Sequence, residues 1–415
     1  MEDRQLYAQI LGITEPWHVT SVQFQRSEGE VRVFVALRNR KQVCPKCQKP
    51  SGGYDDRERR WRHLDTCQYR TILVASIPRV NCTEHGVVQL DVPWAEPGSR
   101  FTALFEALVI DWLRECSFNA IGRQLHLSWD QVAGIQERAV RRGLARRGPR
   151  SPRRIGVDET SFQKRHEYVT VVNDLDAGHV LHIADDRTRE SMDSFYRELG
   201  APACAAITTV AMDMWQPYIR STTEFVPDSS TKIVFDKFHI AKHLGDAVDR
   251  VRRVENRELV AAGDSRLKNS KYLWLTNPEQ MSALRWWNFG PLRESRLRVA
   301  RAWALKEAAM VLWGYRFRGW AERAWKRWCS WAVRCRLEPM KRVARMIQEH
   351  WSGVITAASN NITNARSESI NAKIQWIKRM GCGYRNRERF RNAIYFHLGG
   401  LDLYPETLKL THSKA

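Results

Sequence analysis

Three aspartates in the second half of the chain each follow a short run of β-branched and apolar residues. Asp158 follows residues 155–157, Asp213 follows residues 207–212 and Asp236 follows residues 233–235. A carboxylate at the end of a strand is held rigidly, as two-metal phosphoryl transfer requires of its ligands. A single aspartate of this kind is more often a helix cap. Three of them together make a metal-dependent phosphoryl-transfer site a hypothesis worth testing.

A fourth carboxylate lies far along the chain, in Ser367-Glu368-Ser369-Ile370-Asn371. The pattern predicts a helix over residues 364–380, with three isoleucines on one face. A polar set shares the opposite face: Glu368, Asn371, Gln375 and Arg379. Glu368 could therefore point toward a site, although a solvated helical face is the alternative interpretation.

Two ligand pairs near the N-terminus have the spacing of a metal site. Cys44 and Cys47 are separated by two residues, as are Cys82 and His85. Two such pairs on a β framework predict a closed, tetrahedral Cys3His zinc site, which is structural and not catalytic. The alternative is a set of unrelated buried cysteines with a surface histidine.

Residues 101–139 predict three helices with a short turn between the last two. His126-Leu127-Ser128 forms the turn, and Ser128 is expected to cap the helix that begins at Trp129. This is the helix-turn-helix arrangement, although other αα-hairpins look similar. We expect its second helix to enter the major groove, with Trp129, Gln131 and Gln136 as the DNA contacts.

An arginine-rich stretch follows. From Arg141 to Arg154 there are seven arginines, two glycines, two prolines and no acidic residue. The composition predicts an exposed, flexible linker. We expect Arg146, Arg147, Arg153 and Arg154 to contact the DNA backbone; the alternative is a merely solvated linker.

Short β runs and one helix between residues 155 and 235 predict a mixed α/β sheet. Residues 240–360 predict helix almost throughout and are rich in tryptophan. Most of these tryptophans are expected to pack between helices, while one or two could stack on DNA bases.

The whole-chain charge suits a polyanionic partner. The 415 residues carry 67 Lys and Arg against 46 Asp and Glu, a net charge of +21. Nucleic acid fits this excess, because lysine and arginine that neutralise phosphates release condensed counterions. No apolar run approaches the ~20 residues of a spanning helix, and no signal peptide is evident. We therefore expect a cytoplasmic, nucleoid-associated protein without a membrane partner.

The order of these motifs resembles the DDE transposases of bacterial insertion sequences, specifically the ISL3 family. The resemblance covers residues 40 to 400, from the paired-cysteine module and the helix-turn-helix onward. It is carried by Val157-Asp158-Glu159, Met212-Asp213-Met214-Trp215, Phe235-Asp236-Lys237-Phe238-His239, Ser367-Glu368-Ser369-Ile370-Asn371, Ile377-Lys378-Arg379 and Gly383-Tyr384-Arg385-Asn386. His85 is a departure, because the family's second knuckle is more often Cys-x-x-Cys.

The resemblance implies an α/β fold: a ribonuclease-H-like catalytic core interrupted by an all-helical insertion before the final glutamate. In such a core the second carboxylate follows the fourth strand. This selects Asp158, Asp213 and Glu368 as ligands of two Mg²⁺ ions, with Mn²⁺ as a possible substitute. Asp236 and His239 become supporting neighbours, and Lys378 and Arg379 are expected to contact DNA.

The expected domains are a zinc-binding β module (1–95), a helix-turn-helix (96–140), a basic linker (141–154), the catalytic core (155–240 and 361–400), a helical insertion (241–360) and a tail (401–415). The function implied is cleavage at the terminal inverted repeats of a mobile element and joining to target DNA, by a homodimer or larger assembly. Two alternatives stay open: a zinc-bearing helix-turn-helix regulator without catalysis, and a structure-specific nuclease on the same core.

Overall fold

The computed structural model describes residues 3–38, 43–163, 167–315, 317–360 and 365–406. The chain divides into two compact units. The first comprises Met1–Gly148 and Ile377–Ala415, and the second comprises Pro149–Trp376.

The first half of the chain contains these elements in order: α1 (Asp3–Ile10), β1 (Trp17–Gln25), β2 (Glu30–Leu37), β3 (Gly52–Arg62), β4 (Arg70–Cys82), β5 (Gly86–Gln89), α2 (Ala103–Glu115), α3 (Phe118–Leu125), α4 (Trp129–Ala145), β6 (Arg154–Gln163), β7 (Glu167–Asp174), β8 (Val180–Asp185), α5 (Arg189–Leu199) and α6 (Ala201–Ala206).

The second half contains β9 (Thr209–Met212), α7 (Gln216–Phe225), α8 (Ser229–Lys232), β10 (Ile233–Phe235), α9 (Lys237–Ala261), α10 (Lys271–Leu275), α11 (Ala283–Arg293), α12 (Arg298–Val311), α13 (Arg318–Arg334), α14 (Glu338–Glu349), α15 (Trp351–Asn360), α16 (Ala365–Met380) and α17 (Arg387–Leu398). Two short 3₁₀ helices cover Pro278–Gln280 and Leu312–Gly314.

The first unit begins with a five-stranded sheet of order β1-β2-β4-β3, in which β5 pairs with the far end of β4. Val31, Val33 and Val35 alternate into the core along β2, as a strand with one buried face requires. Beyond the sheet, α2, α3 and α4 form a separate three-helix core. The β-rich module and the three helices predicted from the sequence are therefore both present.

The C-terminal residues join this helical core. Helix α17 packs against α4, and Phe396 and Leu403 are buried in the same cluster as the residues of α2 and α4. Residues 387–398 thus pack on the helix-turn-helix, and Leu401, Leu403 and Tyr404 contact the same core. The expected boundaries at 361–400 and 401–415 stay predictions.

The second unit is built on a mixed sheet of order β10-β9-β6-β7-β8. Strands β6, β7 and β8 are antiparallel neighbours, while β9 and β10 run parallel to β6. The predicted mixed α/β sheet is confirmed, with its first strand at the centre.

The helices from α9 to α15 share one hydrophobic cluster with this sheet, so the predicted helical insertion does not have a core of its own. Gly353 on α15 shows how close the packing is, because a Cβ there would lie 2.4 Å from the ring of Phe235 on β10. Trp325 and Trp328 are fully or almost fully buried, as expected for core packing, whereas Trp320 and Trp331 are about half exposed. No helix within the described residues is long and apolar enough to cross a membrane.

Candidate active site and DNA-binding elements

Asp158 lies within β6 and not at its end, which corrects the sequence-based expectation. The strand continues to Gln163, and Asp158 is paired in register with Val171 of β7. The parallel pairing with β9, however, ends at Gly156 opposite Ala211. Asp158 therefore still lies just beyond the point where the parallel part of the sheet stops.

Asp213 and Asp236 directly follow β9 and β10, the fourth and fifth strands of this sheet. Asp236 is almost fully buried, and its carboxylate caps α9 by accepting a 2.9 Å hydrogen bond from the amide of Phe238. His239 lies between the two aspartates: its Nδ1 is 3.6 Å from Asp213 and 3.9 Å from Asp236. The strand ends thus bring together both aspartates and the histidine that the sequence had singled out.

Both oxygens of Asp158 are held by hydrogen bonds. Its Oδ1 accepts from the amide of Glu159 at 2.7 Å, and its Oδ2 accepts from the side-chain amide of Asn371 at 2.5 Å. Burial raises the pKa of the Asp158 carboxyl, an effect partly opposed by the hydrogen bond from the Glu159 amide. The carboxylate is therefore fixed in orientation within a partly desolvated site.

Glu159 and Arg187 belong to the same cluster, although neither was predicted as a site residue: Glu159 was only a member of a sequence motif, and Arg187 did not stand out at all. Arg187 forms an ion pair with Glu159 at 2.5 Å, lies 3.7 Å from Asp213 and stacks on the ring of Trp215 at 4.2 Å. Burial raises the pKa of Glu159 to about 7; Arg187 lowers this pKa and Asp213 raises it. Arg187 lies in a polar turn before α5, and its sequence context carries no signal that separates it from other surface arginines.

Helix α16 places the motif of residues 367–371 against the central strand β6. Asn371 contacts Asp158, and Gln375 donates a 3.1 Å hydrogen bond to the hydroxyl of Thr160. A Cβ on Gly156 would lie 2.5 Å from the hydroxyl of Ser367, so a glycine is needed at this crossing. The polar face of α16 is therefore not simply solvated. Glu368 is part of α16, but its side chain lies outside the part of the chain that the structure describes.

The zinc ligands converge as predicted. Cys44, Cys47, Cys82 and His85 have ligand atoms within 4.8 Å of one another, and no other group of three or more Cys, His, Asp or Glu among the described residues meets that condition. The distances of 3.7 Å from Cys82 Sγ to Cys47 Sγ and to His85 Nδ1 are close to the roughly 3.5–3.8 Å edges of a tetrahedral zinc site. A hydrogen bond from His85 is the largest of the effects that lower the pKa of Cys82 to about 6, which favours the metal-binding thiolate.

The helix-turn-helix forms as expected at its turn. Ser128 caps α4 in a capping box, in which its hydroxyl accepts from the Gln131 amide and its own amide donates to the Gln131 side chain. Trp129 and Gln131 are exposed at the start of α4, and the guanidinium of Arg389 lies 4.4 Å over the Trp129 ring. Gln136 is only 3% exposed, so its predicted contact with DNA is corrected: it falls on the inward face of the helix.

Both ends of the arginine-rich stretch belong to regular elements, whereas residues 147–153 form no helix or strand. Helix α4 continues to Ala145, and Arg146 donates to the carbonyl of Tyr404 at 2.6 Å. Arg154 is already part of β6 and pairs with Asp176. Arg147 is half-buried, whereas Arg153 is exposed. Internal pairing therefore weakens the expectation of DNA contact for Arg146 and Arg154 and leaves Arg153 as the better candidate.

Lys378 and Arg379 lie in the last turn of α16. Lys378 is half-buried, and this burial lowers its pKa, whereas Arg379 is exposed. Their predicted contact with DNA stays a prediction, and Arg379 is the more accessible of the two.

A zinc cluster, a helix-turn-helix and a mixed sheet with carboxylates at its strand ends together define a DNA-processing enzyme of the transposase class. Three family models match the chain in the same order. Residues 40–85 match a zinc-finger of transposases of the IS204, IS1001, IS1096 and IS1165 elements, residues 90–140 match the helix-turn-helix domain of transposase family ISL3, and residues 155–394 match the ISL3 transposase domain. The chain belongs to the ISL3 family of transposases.

Named relatives agree with this assignment over nearly the whole chain. The chain is 28% identical to the transposase for insertion sequence element IS1557 of Mycobacterium tuberculosis, over 93% of both proteins. It is 25% identical to the transposase for insertion sequence element IS1001 of Bordetella parapertussis, over 94% of this chain and 97% of the relative. The protein is thus a DNA-binding transposase, and the family resemblance found in the sequence is confirmed.

Proposed function

We propose that the catalytic centre of this transposase consists of Asp158, Asp213 and Glu368 on a ribonuclease-H-like core with a helical insertion. The observation that carries the proposal is the hydrogen bond from Asn371 to Asp158, which packs α16 against the central strand. Glu368 precedes Asn371 by three positions and therefore belongs to the same face of that helix. Asp213 follows the fourth strand of the sheet, as the family resemblance expects.

The donor set fits Mg²⁺, with Mn²⁺ as a substitute. The proposed ligands are hard carboxylate oxygens, and carboxylates gathered in a partly buried place repel one another unless cations lie between them. Burial raises the pKa of Asp158, and a bound cation would stabilise its charged form. When bound, the two ions would activate the attacking hydroxyl and stabilise the leaving oxygen of the phosphodiester.

The chain's own residues hold the site in shape. Asn371 and the Glu159 amide fix the orientation of Asp158, while Arg187 neutralises Glu159 and lies close to Asp213. His239 lies between the two aspartates, with Nδ1 3.6 Å from Asp213 and 3.9 Å from Asp236. Asp236 has a structural role here, because it caps α9.

The N-terminal unit supplies recognition in this proposal. The zinc module and the helix-turn-helix, led by Trp129 and Gln131, would bind the terminal inverted repeats of the mobile element. The second unit would then cut at those ends and join them to target DNA, within a dimer or larger assembly on the nucleoid. No covalent protein–DNA bond is required.

The test uses the full chain and DNA carrying the inverted repeats that flank its coding region. We expect strand cleavage at the repeat ends in Mg²⁺ and in Mn²⁺, and none in EDTA. Binding of the repeat DNA without any cleavage in either metal would contradict the proposal and favour a regulator.

A further inference from the structure

A basic cleft lies in the second unit, and none of its described lining residues belongs to the proposed active site. It has a volume of about 500 Å³ and is bordered by the middle of α9, the start of α12 and the turn before α14. Its five arginines are Arg250, Arg253, Arg257, Arg298 and Arg336. We call this feature the arginine cleft.

Three of these five arginines have no acidic partner among the described residues. Arg253 pairs with Asp249, and Arg298 pairs with Glu255 and Glu258. No ion pair within the described part of the chain involves the other three members of the set: Arg250, Arg257 and Arg336. Ion pairs within the chain therefore do not neutralise these three arginines, and the cleft keeps a positive charge.

Among the described lining residues one is acidic, and its ion-pair partners lie outside the cleft. Glu338, at the start of α14, forms an ion pair with Arg345 at 3.2 Å and approaches Arg342 at 4.0 Å. Neither of these arginines lines the cleft. Glu338 is thus compensated by its own helix and takes little of the positive charge from the arginine cleft.

The arginines on α9 form a stripe. Arg250, Arg253 and Arg257 are spaced three and four residues apart, so they share one face of the helix. At 1.5 Å per residue the stripe is about 10 Å long. A stripe of this length can contact more than one phosphate of a DNA strand.

The rest of the lining indicates a phosphodiester backbone more than a nucleobase. Between the arginines the described lining is aliphatic, with buried Val251 and Leu337, half-exposed Val254 and Pro339. No aromatic ring on which a base could stack occurs among these described lining residues. Aliphatic side chains can instead contact deoxyribose.

We propose that the arginine cleft binds the backbone phosphates of a DNA segment in a sequence-independent manner. It is a DNA-contact site distinct from the helix-turn-helix and from the carboxylate cluster. This inference rests on the proposed function only in naming element-end or target DNA as the ligand. The binding of phosphates by the arginines does not depend on it.

The experiment compares two double variants that lose the same charge. Arg250→Gln/Arg257→Gln removes two unpaired arginines of the cleft, while Arg220→Gln/Arg327→Gln removes two exposed arginines on α7 and α13, which do not line the cleft. Binding to an unrelated duplex and to a duplex with the inverted repeat is measured by fluorescence anisotropy between roughly 50 and 300 mM salt, a range wide enough for a salt slope to be fitted.

We expect the cleft variant to lower the slope of log affinity against log salt by up to about 1.8, or ~0.9 per lost phosphate contact, on both duplexes. The control variant should change the slope by much less. Equal slopes for the two double variants, with native circular dichroism spectra, would overturn the proposal. Failure of the parent to cleave repeat DNA would contradict the proposed function, whereas the salt slopes on unrelated DNA test the arginine cleft independently of cleavage.

Discussion

The side-chain amide of Asn371 on α16 donates a 2.5 Å hydrogen bond to Asp158 Oδ2 on β6. Two residues that are 213 positions apart in the sequence are thereby joined at the centre of the sheet. The bond fixes the carboxylate, and it also fixes the helix that carries Glu368. Asn371 is therefore a positioning residue for the proposed metal site.

Replacement of Asn371 by alanine should weaken the metal site. Partners that orient a ligating carboxylate are typically worth about 10–100-fold in metal affinity or activity. We expect Asn371→Ala to lower the affinity for Mn²⁺, measured by electron paramagnetic resonance titration, and to lower the cleavage rate by a similar factor. Gln375→Ala is the matched control, because Gln375 lies one turn further on the same helix but contacts Thr160 and not a carboxylate. Unchanged Mn²⁺ affinity in Asn371→Ala would refute this role.

The adjacent residues Arg153 and Arg154 should differ in their contribution to DNA binding. Arg153 is exposed, whereas Arg154 pairs with Asp176, with Nε donating at 2.7 Å. Arg153→Gln should reduce the salt slope of DNA binding by about 0.9, as the loss of one phosphate contact does. Arg154→Gln serves as its control and should change the slope by less. A larger effect of Arg154→Gln would mean that the Arg154–Asp176 ion pair opens when DNA binds. Arg154, and not Arg153, would then be the residue that contacts DNA.

Purified protein should contain about one zinc ion per chain, because four ligands converge at a single place. Cys44→Ser should lose the metal. It should weaken binding to the inverted repeat more than it changes the folding of the second unit. Cys67→Ser is the control, since Cys67 is exposed and lies outside the cluster. Elemental analysis gives the zinc content directly. A parent protein purified without chelators that contains no zinc would disprove the assignment.

The sequence predicted those parts of the fold that depend on local pattern and ligand spacing. The paired cysteines, the Ser128 cap and the isoleucine face of α16 each follow from residues a few positions apart. For the same reason the alternation of strands and helices in the second unit was predictable. Ligand spacing, helix caps and apolar helix faces can be recognised without knowing which element packs against them.

The errors occurred where a distant partner decides the outcome. The end of β6 was misplaced because its pairing with β7 extends the strand through Asp158. Gln136 looked like an exposed polar residue, but its position on α4 turns it inward. The arginines after position 141 looked unpaired because their partners, such as the Tyr404 carbonyl, lie about 260 residues away. Asn371 lies within one of the sequence motifs, yet only the fold shows that it contacts Asp158.

The central claim is that Asp158, Asp213 and Glu368 hold the catalytic metal ions, while Asp236 only supports the fold. Asp158→Asn, Asp213→Asn and Glu368→Gln preserve shape and remove one charge each. We expect each to lose cleavage of repeat-containing DNA by about 10³-fold or more while DNA binding, measured in parallel, stays near the parental value.

Asp236→Asn is the matched control, because asparagine can also cap α9 and should retain measurable cleavage. The most direct measurement is therefore the Mg²⁺-dependent cleavage rate of the Asp213→Asn and Asp236→Asn variants on the same DNA. We predict an inactive Asp213→Asn variant beside an active Asp236→Asn variant. A normal rate for Asp213→Asn together with no cleavage by Asp236→Asn would contradict the assignment.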